Sequence, residues 1–156
     1  MKKIIIYLLV CSFAVIQADE EVHKVVYDLT TSKLETFEKV VLSAIAMNKT
    51  HYENKFEELE VSVVIHGGAY RFFVKDLVNT IYKDDLRLLK KQESIKKHIE
   101  LMSDTYDVEF LMCRVGMLKN KLDVNNIMDF VKIVPNSTIG LIDKQNDGFA
   151  YLPVGD

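Results

Sequence analysis

The sequence predicts an α/β domain built on a mostly parallel sheet covered by helices on both faces. Short runs rich in β-branched and apolar residues alternate with segments of helical periodicity, the signature of right-handed βαβ crossovers. With 156 residues, 49% of them hydrophobic and 28% charged, and with only two prolines, the chain suffices for one ordinary packed domain. Disordered, collagenous and multidomain classes are excluded.

The elements follow in order. Val22 to Leu29 carries Val22, Val25, Val26, Tyr27 and Leu29 and ends in Thr30-Thr31-Ser32, as a buried strand does. Ser32 with Glu35 three residues on reads as a capping box, and Leu34, Phe37, Val41, Ala44 and Ile45 then recur at helical spacing up to about Lys49. Leu59 to Ile65 is the second strand. It runs into His66-Gly67-Gly68-Ala69-Tyr70, where the glycines permit a tight turn before a further helical stretch. From about Asp84 to Ser103, Leu88, Ile95, Ile99 and Met102 mark a long amphipathic helix whose other face carries Lys90, Lys91, Lys96 and Lys97. Val108 to Met112 is the third strand, ending at Cys113, with Arg114 to Asn120 as the helix after it. Phe130 to Val134 is the fourth strand, Pro135-Asn136-Ser137 opens a short helix to about Gln145, and the Asn146-Asp147-Gly148 turn delivers the fifth strand, Phe149 to Leu152.

Ahead of these elements, Lys2 and Lys3, the apolar run Ile4 to Ile16 and then Gln17-Ala18 form a signal-peptide pattern over residues 1–18, leaving 19–156 as the single domain. The run is shorter than the roughly 20 residues that cross a bilayer. The expectation is therefore a periplasmic or secreted protein cleaved near Ala18, with an uncleaved anchor as the alternative. Losing Lys2 and Lys3 but no acid from 20 basic and 23 acidic residues moves the net charge from −3 to −5, an unfavourable balance for nucleic acid. It also removes Cys11 and leaves Cys113 as the one thiol, so no internal disulfide can form.

Ligand sites of open parallel sheets lie at the carboxyl ends of the strands. Three segments stand there: Asp28 to Thr31, His66-Gly67-Gly68, and Cys113. A cysteine between a strand and a helix start, beside Arg114, favours the thiolate through helix N–H groups and a neighbouring cation. It is equally the position of a small buried residue closing the strand. His66 orients or deprotonates Cys113 if their strands are neighbours, and otherwise is a hydrogen-bonded structural residue. Gly67, Gly68 and Thr30 offer backbone groups to a ligand, although neither a Walker pattern nor G-x-G-x-x-G occurs. His23, His51 and His98 stand isolated, with no C-x-x-C or H-x-x-x-H, so neither a metal nor a cofactor is expected.

From Lys24 to Val154 the chain resembles the DsrE/DsrF-like family of small sulfur-relay proteins, in its exported branch. The landmarks are Val25-Val26-Tyr27-Asp28-Leu29, Val63-Val64-Ile65-His66-Gly67-Gly68-Ala69, Glu109-Phe110-Leu111-Met112-Cys113 with Met117, then Val134-Pro135, and finally Gln145, Gly148, Phe149, Ala150 and Tyr151. The resemblance implies a three-layer α/β/α domain of about five strands that assembles into homo-oligomers or with related subunits. It also implies a Cys113 that carries sulfane sulfur as a persulfide between a donor and an acceptor protein, with His66 as neighbour. Arg114-Val115-Gly116 departs from the smaller polar sequence of relatives. The competing expectation is a non-catalytic oligomeric binding or assembly module in which Cys113 is buried.

Overall fold

The computed structural model describes residues 21–156; the leader read from residues 1–18 lies outside them. Five strands form one sheet in the order β4-β3-β2-β1-β5, and every pairing is parallel: β1 Val22–Leu29, β2 Glu58–Ile65, β3 Val108–Cys113, β4 Lys132–Val134 and β5 Ala150–Val154. The first four strands step across the sheet in one direction, so right-handed crossovers place their connecting helices on one face. These are a helix over residues 34–53 (α1 Leu34–Phe37, a π-helical segment Glu38–Ala44 and α2 Ile45–Glu53), α3 Leu86–Asp104 and the short α4 Arg114–Lys119. β5 returns to the far side of β1, so its crossover, α5 Ser137–Asn146, covers the opposite face.

The two faces are unequal. On the first, Val25, Tyr27, Leu29, Val61, Val63, Ile65, Phe110 and Met112 pack against Phe37, Val41 and Ile45 and against Leu88, Ile95, Ile99 and Met102 of α3. Phe37 stacks on Phe72 with ring centres 4.2 Å apart. On the second, a small cluster of Val26, Val64, Leu111 and Phe149 meets α5, where Gly140 comes close to Val134 and Val64. The rest of that face is charged: Lys24 pairs with Glu60 at 3.2 Å, and Glu109 accepts from Lys132 at 2.8 Å, from Ser62 at 2.8 Å and from Lys144. Burial alone would raise the Glu109 carboxyl, but the hydrogen bonds from Lys132, Lys144 and Ser62 outweigh it and hold it at about 2.

Several elements differ from expectation. The Ser32–Glu35 capping box does not form. The helix starts at Leu34, and the Asp156 carboxylate, brought in by β5, accepts from the amides of Ser32 (3.0 Å) and Lys33 (3.4 Å) and from the hydroxyls of Thr31 (2.5 Å) and Ser32 (2.8 Å). Those hydrogen bonds hold Asp156 at about 2. A distant carboxylate thus replaces the local cap. After Gly68 only a 3-10 turn, Ala69–Phe72, is helical, because Phe72, Phe73, Val74 and Leu77 are all buried, too dense a run for one helix face. Beyond it, Asn126 pairs with both backbone groups of Asp76, at 2.8 Å each, and fixes an irregular path. Phe130 leaves β4 to pack on Phe110, with ring centres 5.8 Å apart, and Phe149 precedes β5.

Candidate functional site at the carboxyl edge of the sheet

β3 ends at Cys113, and the backbone turns directly into α4. By strand alternation Glu109, Leu111 and Cys113 share the face that α5 covers. Its thiol therefore meets the first residue of α5 as well as the first turn of α4. The thiol is free and only 5% exposed. Burial pushes its pKa up, but the polar groups of Gly116, Tyr70 and Ser137 beside it outweigh burial and bring it below the ordinary thiol value. The sulfur thus lies among backbone donors at two helix starts, where unpaired N–H groups favour negative charge.

Tyr70 is the residue on which this arrangement turns. Its hydroxyl donates to the Cys113 carbonyl at 3.0 Å, and burial, followed by the nearby sulfur, raises its pKa far above the usual phenol range, so it stays a donor. A Cβ on Gly116 would lie 1.9 Å from the Tyr70 hydroxyl oxygen, so only glycine at 116 admits the ring. Asn136 caps α5 through a bond from the Ile139 amide of 2.9 Å and so presents Ser137.

The structure brings His66 and Cys113 to neighbouring positions, since Ile65 and Met112 are register partners and these are the next residues of each chain segment. The imidazole, however, uses Nε2 on Asp28 Oδ1 at 2.5 Å, while the other oxygen of Asp28 accepts from the Tyr151 hydroxyl at 2.6 Å. That bond to Asp28, with partial desolvation, raises the Tyr151 pKa. Gly67, Gly68 and Thr30 pack on one another: Gly67 has φ +59°, the Gly68 amide donates to the Thr30 carbonyl at 2.8 Å, and the Thr30 amide donates to Val154 at 2.9 Å. A Cβ on Gly68 would stand 2.6 Å from Ser32 Cβ, so the glycine pair closes two loops together and launches Tyr70. Arg114 is exposed on the first turn of α4.

His23 is not isolated. At the opposite edge its Nε2 lies 3.2 Å from Glu57 and 3.9 Å from Glu21, and its ring packs on Tyr52 with centres 4.4 Å apart. These three are the one group of potential metal ligands that converges among the described residues, with Glu21 largely exposed and His23 Nε2 engaged by Glu57.

Sequence reasoning placed Asp28 in a candidate segment without a role and passed over Tyr70, Ser137 and Tyr151 as site residues. Gly116 was the available signal for Tyr70, because glycine inside a short helix costs about 1 kcal/mol and marks a close approach.

Among known proteins, an uncharacterized protein of Aquifex aeolicus (strain VF5) is 35% identical over 94 residues, which cover 56% of this chain and 41% of that protein. The chain therefore spans less than half the length of that relative. A solved structure of a protein of unknown function from Methanobacterium thermoautotrophicum superposes with a TM-score of 0.57 at 16% identity, covering 84% of this chain and 98% of that one, a likeness of fold. Residues 24–154 match the DsrE/DsrF-like family, which implies a sulfur-relay-related fold. With its five parallel strands, its flanking helices and this match over nearly the whole described length, the chain belongs to the DsrE/DsrF-like family.

Proposed function

We propose that the protein is an exported sulfur carrier that holds sulfane sulfur as a persulfide on Cys113. The observation that carries this reading is the place of Cys113: a free thiol at the end of β3, where the chain turns into α4 at the carboxyl edge of the sheet, with Gly116, Tyr70 and Ser137 around it holding its pKa below the ordinary thiol value despite its burial. Reaction at a thiol 5% exposed requires a local opening around it. Polysulfide treatment is expected to add one sulfur, roughly 32 Da, to the intact mass, reversibly with reductant and not in Cys113→Ser. A native protein that stays unmodified overturns the reading.

The same burial favours a second reading, a non-catalytic binding or assembly module in which Cys113 closes the strand. A thiol that reacts only in denaturant selects it. Both readings include export, supported by the residue pattern of 1–18, and self-assembly, supported by family membership. An N-terminus near Asp19 in protein from the native host, and a mass above the monomer in light scattering, are the expected results.

A further inference from the structure

Resting on the sulfur-carrier reading, we infer that Tyr151, Asp28 and His66 form a hydrogen-bonded chain that presents the imidazole to Cys113 as the proton carrier of sulfur exchange, with Asp28 and Tyr151 as positioning residues.

The three side chains come from three adjacent strands: Asp28 near the carboxyl end of β1, His66 directly after β2, and Tyr151 near the start of β5. Val26 pairs with Tyr151 and Asp28 with Val64 in the parallel register, so Tyr151 and Asp28 lie on the face that α5 covers, and His66, two residues after Val64, falls on it too. Both oxygens of Asp28 are engaged, one by His66 Nε2 at 2.5 Å and one by the Tyr151 hydroxyl at 2.6 Å. The Asp28 and His66 side chains are only 15% and 26% exposed, so water competes weakly for the bond between them.

An ionised carboxylate only accepts, so Nε2 must carry the hydrogen. In the neutral ring the lone pair then belongs to Nδ1. Asp28 lies on β1 and Cys113 on β3, the strands on either side of β2, which His66 directly follows. An imidazole fixed by a carboxylate, at the register position beside a nucleophile, is the arrangement that activates thiols and hydroxyls. Here the tyrosine occupies the second carboxylate oxygen and so fixes the carboxylate in turn.

The step balances without a redox partner. His66 Nδ1 takes the thiol proton, and the Cys113 sulfur attacks the terminal sulfur of a polysulfide, H–S–S–R. A new S–S bond forms on Cys113 as the old one breaks, the electron pair departs on the R–S⁻ fragment, and the Nδ1 proton passes to that fragment. The products are the Cys113 persulfide and R–SH.

The test combines imidazole nitrogen NMR on the labelled protein with the rate at which sodium polysulfide adds one sulfur to Cys113, for the parent, Asp28→Asn, His66→Gln, their double variant and Tyr151→Phe. The expected parent signal is a His66 ring with hydrogen on Nε2 at neutral pH, and Asp28→Asn shifts that tautomer. Asp28→Asn and His66→Gln each slow the addition at least about 10-fold, the low side of what proton transfer contributes. The double variant is no slower than His66→Gln, because the two act as one unit. Tyr151→Phe, at a half-exposed position and expected to fold normally, slows it about 2-fold to 5-fold. Parent-like rates in His66→Gln, or additive losses in the double variant, overturn the relay while the carrier reading stands. A parent whose Cys113 never gains sulfur overturns the carrier reading and the relay with it.

Discussion

Two histidines in this molecule are each bound through Nε2 to a carboxylate, His66 to Asp28 at one edge of the sheet and His23 to Glu57 at the other. At the carboxyl edge the pair stands next to a free thiol and to the starts of α4 and α5, so donors and a nucleophile converge. At the amino edge the imidazole packs on Tyr52, beside the exposed Glu21. A histidine–carboxylate contact is common structural chemistry. What distinguishes the first pair is the direction of the parallel strands, which brings loops, helix starts and the thiol to the same end.

That contrast can be broken most forcefully at Gly116. Gly116→Ala drives a methyl group into the Tyr70 hydroxyl and is expected to lower stability by about 3 kcal/mol, the upper end for an overpacked site. It should also return Cys113 to ordinary thiol behaviour. Urea unfolding reads the first effect and alkylation rate against pH the second.

Glu109→Gln comes next. It unpairs Lys132 and Lys144 on the charged half of the second face, at an expected cost of about 2 kcal/mol near neutrality. The Glu109 carboxyl lies at about 2, below its ordinary value of 4.5, so its contribution is complete above 4.5 and disappears as the pH falls toward 2. Acid titration of stability should therefore converge for parent and variant at the lowest pH, with thiol reactivity unchanged.

Tyr70→Phe should cost about 1 kcal/mol for the lost bond to the Cys113 carbonyl, and it should raise the thiol pKa. A thiol whose folded pKa is depressed stabilises the fold above its unfolded value of about 8.5, and that stabilisation fades as the pH drops through the folded value. Parent and Tyr70→Phe should thus diverge further on the alkaline side. At the amino edge, His23→Ala is expected to cost less than about 1 kcal/mol, as partly exposed ion pairs do, and to leave the rate of Cys113 alkylation untouched. A loss of thiol reactivity there would erase the distinction between the two edges.

The fold was legible where burial is continuous. β1 occupies the residues its apolar run marks, and α3 lies within two residues of its predicted bounds, because parallel strands and an amphipathic helix write their partners into local pattern. The path from Phe73 to Asp85 was not legible, since it is fixed by contacts such as Asn126 with Asp76 that no local period records. The site divides the same way. Cys113 and His66 announce themselves as the first polar residues after apolar strands. Asp28 is marked only as a residue near a strand end; Tyr70, Ser137 and Tyr151, and the partner of Asp28, enter only through the tertiary arrangement, which requires knowing that β5 lies beside β1 and that α5 crosses the second face.

The position of β5 has a further consequence for how the molecule matures. Tyr151 reaches Asp28 across 123 positions of chain, and Asp156 closes the loop before α1 across nearly the same span. Contacts of such long sequence separation carry the largest closure entropy and form late in folding. Until β5 docks, β1 is an edge strand with half its backbone groups unpaired, and the helix start after it lacks the Asp156 carboxylate. A molecule in which β5 has not docked therefore lacks the Tyr151 end of the hydrogen-bonded chain that holds His66.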